Sequence, residues 1–209
     1  LEMLRPFGPC VMKVKASKEL IRLLLTKAVE VRTTKAKEND HRNKLSGNLS
    51  EEYSYADVFT DEQQELLSNE ILGRAHGYTL AASSLLSRPV TIPKSALEID
   101  TPWVNFMKQG EWNPRHYHTG LLSLVIFLKV PSEIALENYK EDSVKKSLQP
   151  TAGMLQFTYG EQCEFSSSTK NIIPVMGDMY LFPSSLHHQV YPFISDAERI
   201  SVSMNINRK

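Results

Sequence analysis

Residues 113–131 read NPRHYHTGLLSLVIFLKVP. Two histidines one residue apart, His116 and His118, lead directly into a long apolar run. The run from Leu121 to Val130 is far shorter than the roughly 20 residues a membrane-spanning helix needs. It lacks the three-and-four spacing of an amphipathic helix and reads as a buried strand. The segments on its C-terminal side have the same character. Alternating runs at 153–159, 171–182 and 199–206 are interspersed with the turn formers QPTAG, MGD and FPSS. Several short strands punctuated this way predict a sandwich, a jelly roll or a barrel.

Toward the N-terminus the period changes. PCVMKVKAS (9–17) alternates and reads as a short strand. Ser17 can cap a helix through about Arg32, with Leu20, Leu24, Ala28 and Val31 on one face. Thr60 and Gln63 form a capping-box pattern ahead of a second helix. Its stripe runs through Leu67, Ile71, Ala75, Tyr78, Ala82 and Leu85. The mixed-charge stretch 33–54 between the two helices reads as a solvated loop. From Ile99 onward helical spacing is gone. The expected fold class is therefore α+β, a jelly-roll (double-stranded β-helix) core with supporting N-terminal helices. Residues 1–209 form one unit, with mainly helical support at 1–98 and the jelly roll at 99–209. The charged connection 132–152 is long for a hairpin and reads as a lid or a disordered loop.

The chain has 209 residues, 24 Lys and Arg against 24 Asp and Glu, and 41% hydrophobic content. Zero net charge provides no general field for nucleic acid or a membrane surface. The first ten residues lack the charged-then-apolar order of a signal peptide. Two cysteines, Cys10 and Cys163, imply no disulfide framework and read as reduced thiols in the cytoplasm.

On a strand, residues i and i+2 point the same way, so His116 and His118 can converge on one metal ion while Tyr117 faces away. A third ligand must come from elsewhere, and SSLHHQVYP (184–192) offers His187 and His188. Three such ligands leave about half an octahedron open for a co-substrate and dioxygen. In ERISVSMN (198–205), Arg199 and Ser201 share a face. A guanidinium beside a hydroxyl suits the far carboxylate of a dicarboxylic acid. The competing reading of Arg199 is a surface charge that snorkels along the sheet. His41 and His76 read as surface or structural histidines.

HYH before an apolar strand, GMLQF, PVMGDMYLFPSSLHHQVYP and RISVSMN resemble, in order and spacing, the Fe(II)- and 2-oxoglutarate-dependent oxygenases. The resemblance spans roughly 105–207 and is strongest to the small prolyl-hydroxylase-like members, including uncharacterised marine phage proteins. It implies that His116 is the first ligand, His188 the distal one, and Arg199 with Ser201 the clamp for the 2-oxoglutarate C5 carboxylate. Asn113 falls in the same pocket as a further co-substrate contact, and Trp112 and Ser123 are candidates to line it.

One position departs from the family pattern: His118 stands where an acidic ligand is expected. Either His118 coordinates and the iron face is three neutral histidines, or His118 is the first ligand and Gly120 leaves a vacant position. The spacing of NPRHYH favours the former, and His187 is the weaker distal candidate. The implied activity is hydroxylation of a C–H bond with Fe(II), 2-oxoglutarate and dioxygen, on a peptidyl side chain or a small molecule. No nucleic-acid or membrane partner is implied, and a phage-encoded copy would work in its host's cytoplasm. Two other readings of the same residues are a cupin-like metal enzyme that does not use 2-oxoglutarate and an inactive jelly-roll binding module.

Overall fold

The computed structural model describes residues 8–34, 37–42, 47–85, 90–139 and 150–209. Strand β1 (Met12–Lys15) is followed by helix α1 (Lys18–Thr34), strand β2 (Glu51–Ser54) and helix α2 (Asp61–Ser83). Then come β3 (Leu97–Ile99), β4 (Trp103–Met107), β5 (Asn113–His116), β6 (Leu122–Lys129) and the short helix α3 (Ser132–Glu137). Strands β7 (Leu155–Thr158), β8 (Thr169–Ile172), β9 (Asp178–Pro183), β10 (His187–Val190) and β11 (Arg199–Arg208) complete the chain.

The helices start where their caps dictate. Ser17 Oγ accepts the Leu20 N–H, and Thr60 and Gln63 close the full capping box of α2. Neither β-branched runs nor prolines interrupt the first turns. Leu20, Leu24 and Val31 of α1 and Leu67, Ile71 and Ala75 of α2 have no exposed surface. Burying each of the larger of these is worth about 1.5–3 kcal/mol. Leu85 does not continue the stripe: it lies past the end of α2 and is 61% exposed.

The helices pack on the outer face of a large antiparallel sheet ordered β1-β9-β6-β11-β4-β2, with β3 also paired to β11. That face carries Val104, Phe106, Leu124, Ile126, Met179, Leu181, Val202 and Met204. Alternate residues of the same strands point inward toward the second sheet, ordered β5-β10-β7-β8. The two sheets form the jelly roll, and its interior holds the site.

Several sequence expectations are revised by the tertiary contacts. The run 171–182 is two strands, β8 in the small sheet and β9 in the large one, divided at Gly177 with its left-handed φ of +82°. Within the stretch read as a solvated loop, Glu51–Ser54 forms β2, paired with β4. Glu51 bridges Arg32 and Lys108, and Tyr53 packs edge-on against Phe106. The start of the 132–152 connection is helical, and Glu137 accepts from the backbone N–H groups of Ile194 and Ser195; residues 140–149 lie outside the described residues. Trp112 is neither core nor pocket wall. It is 43% exposed and bridges to Asn48.

Candidate metal centre

Strands β5 and β10 are antiparallel neighbours, and His116 stands directly opposite His188. A cross-strand pair on one face brings two side chains to within contact distance. His118 lies just past the end of β5, where its N–H donates to the Ser184 carbonyl at 2.9 Å. The three imidazoles converge: ring centroids are 4.3 Å apart for His116 and His188, 5.0 Å for His116 and His118, and 5.2 Å for His118 and His188. One ligand nitrogen from each lies within 4.8 Å of the others.

Backbone carbonyls set the rings. His116 Nδ1–H donates to Pro114 O at 2.6 Å and His188 Nδ1–H to Leu186 O at 2.9 Å. That fixes the tautomer and leaves each Nε2 lone pair directed at the shared space. Burial disfavours the imidazolium form, pushing His118 down to about 4 and His188 down to about 3, with His116 also lowered. The donors are therefore neutral at pH 7, the state that binds a metal. His187, adjacent in sequence, points to the other side and packs on Tyr117 at 5.1 Å. Gly120 turns away with φ +110° against Asn207, so the three converging residues are His116, His118 and His188. His76 Nδ1 bonds Ile92 O away from the site, whereas His41 stacks on Trp103 at 5.7 Å.

Arg199 begins β11 at the other end of the same cavity. It does not snorkel: it is 3% exposed, and burial lowers its pKa to about 10. Its Nη1 donates to the Gly153 carbonyl at 2.9 Å and its guanidinium lies 5.6 Å from the Phe127 ring centroid. Its Nε is buried without a partner, and among the described residues no carboxylate pairs with it. Burial of a guanidinium without a counter-charge is costly, and an anion beside it would offset that cost. Ser201 lines the cavity two residues along β11, and Asn113 and Ser123 line it as well. Ser123 Oγ lies 2.8 Å from Asn205 Oδ1 and 3.0 Å from Ser184 Oγ.

Sequence reading missed the wall opposite these groups: Trp103, Asn105 and Met107 of β4, with Phe127, Leu155 and Phe182. The Trp103 ring lies 5.8 Å from that of His118. The available signal was the alternation in WVNFM, where Asn105 is a polar residue at an inward position of a buried strand.

The family model described as "Putative 2OG-Fe(II) oxygenase" matches residues 101–205. No curated protein matches the chain. A prolyl-4-hydroxylase from Pseudomonas putida superposes with a TM-score of 0.57 at 18% identity, over 95% of this chain and 92% of that one. A viral collagen prolyl hydroxylase from Paramecium bursaria Chlorella virus-1, in its 2-oxoglutarate complex, gives 0.54 at 16% over 94% of each. HygX from Streptomyces hygroscopicus, with nickel, 2-oxoglutarate and hygromycin B bound, gives 0.58 at 7% over 95% of this chain and 83% of that one.

Proposed function

The chain belongs to the 2OG-Fe(II) oxygenase family, and from that membership we propose that it hydroxylates a C–H bond at a centre held by His116, His118 and His188. It is an oxygenase of the Fe(II) and 2-oxoglutarate class, and the family match favours that reading over the cupin-like one. The observation that carries the ligand assignment is the convergence of three neutral imidazoles in one cavity with a buried arginine that has no counter-anion among the described residues.

The donor set fits Fe(II): imidazole nitrogens suit the metal, and three on one face leave the opposite face open. Bound Fe(II) supplies the redox chemistry that couples oxidative decarboxylation of 2-oxoglutarate to oxygen insertion into the substrate. The protein supplies the rest. His116 and His188 present Nε2 because their Nδ1 protons are held by backbone carbonyls. Arg199 takes the distal carboxylate of 2-oxoglutarate, with Ser201 beside it and Asn113 as a further contact. Trp103, Phe127, Leu155 and Phe182 exclude water from the reacting face. With His118 in place of an acidic residue, the ligand set carries no negative charge. The site then has a stronger pull on an anionic co-substrate.

The substrate is an organic molecule or peptide side chain small enough to enter beside Trp103. The breadth of the structural neighbours, from a collagen prolyl hydroxylase to an enzyme with bound hygromycin B, supports both classes. Among the described residues no helix is long and apolar enough to cross a membrane, and free Cys10 and Cys163 support a reducing compartment such as the cytoplasm.

The test is anaerobic titration with Fe(II) and then 2-oxoglutarate, following the visible metal-to-ligand charge-transfer band. A band that saturates at one equivalent of each is expected. Iron uptake without the band would sink the Arg199 clamp, and no iron uptake would sink the triad.

A further inference from the structure

The inward face of the large sheet carries a second polar feature that the chemistry above leaves unused. Glu52 on β2 stands opposite Asn105 on β4, and Asn105 stands opposite Ser201 on β11. Directly paired residues project to the same side of a sheet, so the three form a row on the face toward the cavity, which Asn105 and Ser201 line. Glu52 is 1% exposed and Asn105 6%. Glu52 Oε1 and Asn105 Oδ1 are both buried acceptors without a hydrogen-bond partner among the described residues. The Asn105 amide nitrogen makes only a long contact, 3.5 Å, with Ser203 Oγ.

The row has a defined place relative to the reacting centre. Two residues one way along β4 is Trp103, against the His118 ring; two the other way is Met107, opposite Arg199. A buried acceptor left without a donor is costly, and a carboxylate more so. The charged neighbours of Glu52 do not cure this. Glu111 and Asp40 oppose its ionisation, and Arg42, which favours it, is engaged by Asp40 at 2.6 Å. Burial holds the carboxyl up at about 7. Among the described residues, what the row lacks is a cationic partner.

We propose that Glu52 and Asn105 are the substrate-reading residues of this oxygenase, receiving a primary ammonium or guanidinium group that pairs with the Glu52 carboxylate and donates to Asn105 Oδ1. This rests on the iron centre proposed above. A cation suits two adjacent acceptors better than a hydroxyl does, because an ammonium brings three donors and a guanidinium five. An anion is repelled by the same row. Arg199 lines the cavity and Glu52 is paired to Asn105 of its wall; as anchors of opposite sign they keep 2-oxoglutarate and the substrate from exchanging places.

The experiment uses the full chain loaded anaerobically with Fe(II) and 2-oxoglutarate, with calorimetric titration of three probes. They are Nα-acetyl-lysine methylamide, its norleucine counterpart, which lacks only the ammonium, and 1,5-diaminopentane. The lysine probe or the diamine is expected to bind at least tenfold more tightly than the norleucine probe. Tight binding of the capped lysine alone identifies a peptidyl side chain, and equal binding of the diamine a free amine; both support the assignment. Glu52→Gln, which keeps the shape and removes the charge, is expected to bring the preference below threefold while leaving the Fe(II) and 2-oxoglutarate midpoints unchanged. A normal charge-transfer band with no preference for the cation, or a preference that survives Glu52→Gln, overturns this inference alone. In the unaltered protein, no iron uptake overturns the iron centre, iron uptake without the band overturns the Arg199 clamp, and either takes this inference with it.

Discussion

His188 is the ligand whose surroundings leave it least freedom. It is 6% exposed, its Nδ1 proton is held by Leu186, and the Phe182 ring sits 4.9 Å away. Replacing it by Ala removes one of three donors from a site that has no spare, and Fe(II) affinity should fall at least about a hundredfold. Arg199→Met keeps the packing on Phe127 and removes the charge. Fe(II) binding should then be unchanged, while the 2-oxoglutarate midpoint in the charge-transfer titration rises about thirtyfold or more, the usual scale for losing a buried charge-assisted pair. Glu52 predicts a pH dependence of opposite sign to that of an ordinary paired carboxylate. Its folded pKa, about 7, lies above the usual 4.5. Its contribution to stability is therefore full below pH 4.5 and is lost as pH rises through about 7. A shift of that size is worth on the order of 3 kcal/mol. In denaturant melts of the substrate-free protein, Glu52→Gln should match the unaltered chain near pH 4.5 and exceed it in stability by pH 8. Parallel pH profiles for the two proteins would remove the case for a buried, unpaired carboxyl.

At the scale of elements, the position of Arg199 depends on a turn and a short helix far from it in sequence. Gly153 adopts φ +64°, a conformation that L side chains rarely take, and its carbonyl receives the Arg199 Nη1 proton. A Cβ at that position would collide with Ile134 on α3, and Ile134 packs with Phe193, Met107 and Leu49. Gly153→Ala must move either the turn or the helix. It should cost about 1–3 kcal/mol of stability and raise the 2-oxoglutarate midpoint several-fold, with Fe(II) binding intact. A change in iron affinity of the same size would mean that the turn supports the whole cavity and not Arg199 in particular.

At the scale of the molecule, the two halves of the chain share one sheet. From the first 98 or so residues β1 pairs with β9, β2 with β4 and β3 with β11, while α1 and α2 cover the outer face of the same strands. Neither half keeps its apolar surface out of water without the other. We expect a single unfolding transition for residues 1–209, coincident by far-ultraviolet circular dichroism and by tryptophan fluorescence. Ile71→Ala, at a position with no exposed surface, should shift that one transition by about 2–5 kcal/mol. Two resolved transitions, only one of them moved, would show the helices to be a separate unit.

The amino-acid sequence by itself determined what depends on short-range pattern. The capping box of α2, the stripes of α1 and α2, the apolar run of β6 and the alternation in β11 were legible, because periodicity and capping chemistry act over a few residues. That HYH, HHQVYP and RIS belong together was legible only through their resemblance to a known family. The tertiary structure decided what depends on which strands become neighbours. The antiparallel register of β5 and β10 selects His188 over His187, since one residue of slip on a strand reverses the face. Pairing with β4 turns a charged stretch into β2, and the sheet interior makes Arg199 a buried cation and not a surface charge. Glu52 and Asn105 lie 53 residues apart in sequence, with nothing local to link them. Only the pairing of β2 with β4 sets the two residues opposite each other, with Asn105 on the cavity wall.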